Sequence, residues 1–148
     1  MRTLIKASLI ATMLFTSAAW AQSASPDGLW KTIDDETAKP KALVRVTEEN
    51  GALQGKIEKL FRGPNEDQNP KCIACTDSRK NQPIIGMTIV SGLKKDGDEV
   101  TGGEILDPSK GKVYKSKATL RDGGQKLEVR GYIGAPMFGR SQVWQREG

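Results

Sequence analysis

The stretch MTIVSGLKKDGDEVTGGEILDPSKGKVYKSKATLRDGGQKLEVRGYI, residues 87–133, decides the fold. Short runs rich in Val, Ile, Leu, Thr and Tyr alternate with clusters that combine Gly with Asp or Pro. Lys95-Asp96-Gly97-Asp98 separates Met87–Leu93 from Glu99–Leu106. Asp107-Pro108-Ser109-Lys110-Gly111 leads into Val113–Leu120, and Arg121-Asp122-Gly123-Gly124 into Lys126–Ile133. Gly reaches backbone angles closed to other residues, and Asp and Pro preset a bend, so each cluster reverses the chain. Runs of this length with a period of two, parted by reversals, predict an antiparallel meander.

The same grammar extends to both sides. Ser141–Arg146 adds a final strand. Upstream, Leu29-Trp30-Lys31-Thr32-Ile33 alternates and stops at Asp34-Asp35-Glu36, which reads as a turn. Ala42–Thr47 alternates through Ala42, Val44 and Val46. Asn50-Gly51 then gives the hairpin signal of a type I′ turn, and Leu53, Gly55 and Ile57 carry the return strand to about Phe61. No window of the chain beyond its leader shows a 3.6-residue apolar stripe. Eight strands, each with one apolar face, must close or pair to hide their edges. The expected fold is all-β: a single antiparallel up-and-down barrel of about eight strands, with one long loop between strands three and four. Such a barrel holds packed side chains or one small ligand. Gly102-Gly103 leaves one parity open, because a bulge there would exchange inward and outward faces.

The leader sets the compartment. Arg2 and Lys6 give a positive start, Ala7–Ala18 is an apolar run, and Ala19-Trp20-Ala21 offers small residues where a signal peptidase reads. Residues 1–21 are expected to be a cleaved signal peptide and 22–148 a single periplasmic domain. The run is too short to cross a bilayer, and no span follows. The chain carries 23 Lys and Arg against 18 Asp and Glu, and two of those bases lie in the leader. That slight, interleaved excess gives no reason to expect a nucleic-acid partner. There is no histidine. Its absence removes the commonest general base, the commonest zinc ligand and every Ser-His or Cys-His pair, and no metal or cofactor is expected.

Two segments could carry chemistry. In the long loop from Arg62 to Pro83, Cys72 and Cys75 form C-x-x-C. A structural disulfide in an oxidising compartment, a redox-active pair and half a metal site completed by Asp77 or a second chain are three readings of it. One short helical turn is expected in this loop. The second segment is Gly134-Ala135-Pro136-Met137-Phe138-Gly139-Arg140. It reads as a plug of one barrel end, or as a rim on which Arg140 or Arg130 meets an anionic group. Strand parity gives Val44, Ile57, Ile89, Tyr114, Ala118, Leu127 and Val129 as candidate lining, joined at the mouth by Met137, Phe138 and Arg140.

Two resemblances follow. Gly28-Leu29-Trp30 on the first strand, with Trp144 and Arg146 on the last, resembles the lipocalin and calycin pattern. That likeness implies that Trp30, Trp144 and Arg146 close one barrel end. Gly28-Leu29-Trp30-Lys31-Thr32, Gly55-Lys56-Ile57, Cys72-Ile73-Ala74-Cys75-Thr76-Asp77, Gly86-Met87, Gly103-Glu104-Ile105-Leu106-Asp107-Pro108 and Leu127-Glu128-Val129-Arg130-Gly131-Tyr132 form a wider set, completed by Phe138-Gly139-Arg140-Ser141 and Trp144. That set resembles the small exported bacterial proteins of domain of unknown function family 2147. The resemblance implies export and a small β fold, and supplies no mechanism. The expected function is non-enzymatic binding of a small amphipathic or apolar ligand. A filled barrel that contacts a periplasmic protein partner, and a thiol-disulfide protein using Cys72 and Cys75, are the alternatives.

Overall fold

The computed structural model describes residues 24–148, so the signal-peptide reading of residues 1–21 lies outside the described residues. The eight strands are β1 (Gly28–Ile33), β2 (Pro40–Glu49), β3 (Ala52–Leu60), β4 (Thr88–Asp96), β5 (Glu99–Asp107), β6 (Lys112–Arg121), β7 (Lys126–Tyr132) and β8 (Gly139–Arg146). Each strand pairs antiparallel with the next, and β8 returns to β1 to close an up-and-down barrel. The seam is short. Only Trp30 with Arg146 and Lys31 with Gln145 are in register. Beyond them, Leu29 N–H donates to the Gly148 carbonyl and Glu147 N–H to the Leu29 carbonyl, each at 2.8 Å.

Alternation sends one face of most strands inward; β4 breaks it, with the consecutive Ile89 and Val90 both buried and a shifted register to β3. Ala42, Val44 and Val46 on β2, Ser116 and Ala118 on β6, and Leu127 and Val129 on β7 are buried. The open parity on β5 resolves as a bulge. Val100 and Gly103 are both buried although three residues apart, the register slips between them, and Gly102 between them has φ +74°. A Cβ on Gly103 would collide with Leu93, so glycine lets β4 and β5 cross closely there.

One end of the barrel is filled. Trp30 and Trp144 are almost wholly buried, and the Arg146 guanidinium lies 4.4 Å over the Trp30 ring. Arg146 donates to the carbonyls of Gly124 (2.7 Å), Asp27 (2.9 Å) and Ser25 (2.6 Å). Trp30 Nε1–H donates to the Pro26 carbonyl at 2.8 Å. The segment before β1 is thereby tied beneath the barrel, and about 10 Å³ remains empty among Val46, Leu53, Ala118, Leu127 and Trp144.

Candidate functional site: an open, basic-rimmed cavity

In an up-and-down barrel the odd-numbered connections share one end. At that end the barrel holds a cavity of about 450 Å³. Trp144 and Val129 border both this space and the filled end, so they form the cavity floor. Val44, Ile57, Ile89, Ile105 and Tyr114 line the walls. Thr32, Tyr132 and Gln142 add polar groups. The rim carries four exposed bases, each beside a different connection: Lys41, Arg62, Lys110 and Arg140.

Among the acids lining the cavity, Asp107 stands at the mouth. Burial pushes its carboxyl up. The Ser109 hydroxyl (2.6 Å) and N–H (2.9 Å) donate to it, and with the Lys41 charge they bring it below the usual value. Asp107 is therefore ionised at neutral pH and occupied by its own turn.

Of the residues expected to line a site, Val44, Ile57, Ile89, Tyr114, Val129, Phe138 and Arg140 border the cavity. Three do not. Ala118 and Leu127 face inward, but they belong to the filled end below Trp144. Met137 is 77% exposed and borders nothing inside. The plug reading of residues 134–140 is also corrected. Phe138 is 69% exposed, the cavity beneath is open, and the segment is a rim. Its shape is held from outside the barrel: Arg130 donates to the Pro136 carbonyl (2.6 Å), the Gly139 carbonyl (3.1 Å) and the Ser141 hydroxyl (3.0 Å). Arg130 is thus a brace for the rim, and Arg140 instead pairs with Asp35 at 3.5 Å.

The rim lysines Lys41 and Lys110, with Arg62, were not singled out in the sequence. A signal existed: each flanks an odd-numbered connection, and a meander gathers those connections at one end.

The long loop, residues 61–87, packs against the mouth. Cys72 and Cys75 form a disulfide, fully buried in the hydrophobic core cluster. The loop meets the β5–β6 turn at Gly111, where φ is +65° and an added Cβ would overlap the Ala74 carbonyl. Ile84, from the same loop, lines the cavity. The expected helical turn is two successive tight turns, with Lys80 N–H donating to Asp77 and Gln82 N–H to Arg79. Neither cysteine therefore sits at a helix N-terminus. Asp77 is held by the Arg79 guanidinium instead of standing free as a metal ligand.

The match that decides the family spans residues 28–146 and is described as "Uncharacterized protein conserved in bacteria (DUF2147)". The chain belongs to the DUF2147 family. No curated protein matches it. Among solved structures it is similar to protein HP1028 from the human pathogen Helicobacter pylori, described as belonging to the lipocalin family. The likeness has a TM-score of 0.71 at 19% sequence identity and covers 84% of each chain. At that identity it establishes a shared lipocalin-like barrel for this DUF2147 chain.

Proposed function

We propose that this protein binds a small amphipathic molecule, apolar tail inward and anionic group at the rim, and that it does so as an exported periplasmic protein. The observation that carries this reading is the gradient of the cavity: Trp144, Val44, Ile57 and Ile105 below, and Lys41, Arg62, Lys110 and Arg140 above. A volume of about 450 Å³ falls within the roughly 300–1,000 Å³ of ordinary ligand sites. Apolar burial would supply most of the affinity, and Lys41, Arg62 and Lys110, with Arg140 shared with Asp35, would select the sign of the head group. The lipocalin membership of the structural neighbour supports a barrel that holds one small ligand. The leader and the Cys72–Cys75 disulfide support an oxidising compartment outside the cytoplasm.

Tryptophan fluorescence tests this, because Trp144 forms the cavity floor. Titration with dodecanoate should give a saturable change, tighter than with dodecyltrimethylammonium. Gly131 lines the cavity, and a Cβ there meets Ile105 and Tyr114 at ordinary contact distance. Gly131→Leu should fill the space and weaken dodecanoate binding about tenfold or more, since a packed interior accepts little added volume. No saturable response to either amphiphile, or equal affinity for both charges, would overturn the reading.

A further inference from the structure

We propose that the open end of the barrel docks on an anionic lipid bilayer, with the cavity mouth facing the membrane. The apolar surface is distributed along the barrel axis in one direction. Of the eight large apolar side chains left exposed among the described residues, Phe61, Ile73, Ile85, Ile133, Met137 and Phe138 lie in two connections at the mouth, and Val113 and Val143 lie on β6 and β8. Ile73, Met137 and Phe138 are 73%, 77% and 69% exposed. The turns at the filled end, Asn50-Gly51, Gly97-Asp98 and Asp122–Gly124, have none. Apolar tips grouped on one face of a soluble domain mark a surface with an apolar partner.

Charge runs in the same direction. The mouth carries Lys41, Arg62, Lys110 and Arg140, and Lys59 lies 4.9 Å over the Phe61 ring. The filled end carries Glu48, Glu49, Asp96, Asp98 and Asp122, interleaved with Lys94, Lys95, Arg121 and Lys126, the last of which pairs with Asp122 at 3.1 Å. Three acids near the mouth are engaged within it, one of them with a rim base, which leaves Lys41, Arg62 and Lys110 as the rim bases outside ion pairs among the described residues. Asp35 pairs with Arg140, Asp77 with Arg79, and Asp34 accepts from the Thr37 and Glu36 N–H groups.

An anionic bilayer answers both features at their own depths. Phosphate head groups meet the bases, and the acyl region just beneath takes the apolar tips. The cavity opens inside this ring, so an amphiphile could pass between bilayer and barrel without its tail crossing water. Docking stands apart from the ligand reading, because the surface is present whatever the cavity holds.

Co-sedimentation of the full chain with lipid vesicles tests it. The protein should sediment with phosphatidylglycerol–phosphatidylethanolamine vesicles at low salt. Binding should weaken as salt rises and be about tenfold or more weaker on pure phosphatidylcholine. The double variant Ile73→Ser, Met137→Ser should lose about tenfold or more of the association. Val143→Ser, an exposed change on the barrel wall, should lose none. Neither Ile73 nor Met137 lines the cavity, so the double variant should keep its dodecanoate titration. Failure of the ligand reading would appear there, as no dodecanoate response in either protein, with the vesicle result intact. Absent sedimentation at low salt, or a double variant that sediments like the parent, would overturn docking. So would self-association that the double variant abolishes while vesicles stay bare; the surface would then belong to a second copy.

Discussion

Two inward residues show how unequally polar groups are treated in this barrel. Ser116 is fully buried on β6, between cavity-lining Tyr114 and tightly packed Ala118, and its hydroxyl meets no hydrogen-bond partner among the described residues. An unpaired buried donor costs about 1–3 kcal/mol. Ser116→Ala should therefore stabilise the fold by about 1 kcal/mol in urea unfolding, with an unchanged slope. A loss of stability would show the hydroxyl to be engaged. Arg146 is the opposite case, with three carbonyls and an indole face around one guanidinium. Arg146→Ala should cost about 3 kcal/mol, the scale of charged hydrogen bonds plus a cation–π contact. Arg146→Lys should recover only part of it in the same unfolding measurement, because an ammonium lacks the planar fork that reaches separate carbonyls.

At the scale of elements, the strands follow directly from alternation, and the cysteine loop does not. Its twenty-seven residues from Phe61 to Met87 have no period to read. C-x-x-C spacing favours a local staple and leaves a redox pair or half a metal site open. What settles its position is long-range: Gly111, which reads as an ordinary turn glycine, admits the Ala74 backbone, and the disulfide buries beside the β5–β6 turn. Arg79 ties the loop to β4 by donating to the Thr88 carbonyl (3.0 Å) while pairing with Asp77. The Arg79 guanidinium, then the Arg79 N–H, hold the Asp77 carboxyl at about 2, below the ordinary 3.8. A carboxyl depressed in the folded state stabilises when ionised. Its contribution is complete above the ordinary value and disappears as pH falls through about 2. Amide protection factors around Asp77–Lys80, taken relative to the intrinsic exchange rate at each pH, should thus fall between about pH 4 and pH 2 while barrel amides keep theirs. Asp77→Asn should show low protection factors throughout and lose that pH dependence. An unchanged profile in the variant would place the stabilisation elsewhere.

For the whole molecule, the decisive distinction is between facing inward and lying at a given height. Period two reports the first. Val44, Ile57, Tyr114, Val129, Ala118 and Leu127 all point into the barrel, as alternation predicts. Height depends on the tilt and register of strands paired across the whole chain, which alternation does not carry. Ala118 and Leu127 therefore fall below Trp144 in packed core, although they share faces with cavity residues. Phe138 and Met137 likewise read as a plug because apolar side chains usually fill space, yet the Arg130 brace holds their loop out at the rim. This division makes opposite demands on two substitutions. Ala118→Phe has only about 10 Å³ to enter. It should destabilise the fold by about 1–3 kcal/mol through overpacking and leave amphiphile affinity unchanged wherever the protein remains folded. Gly131→Leu should do the reverse, lowering affinity with little change in stability, because its side chain grows into the open space. Paired denaturation and fluorescence titrations on both variants would separate them. Loss of affinity in Ala118→Phe at full folding would mean that the floor at Trp144 is permeable and the two spaces are one.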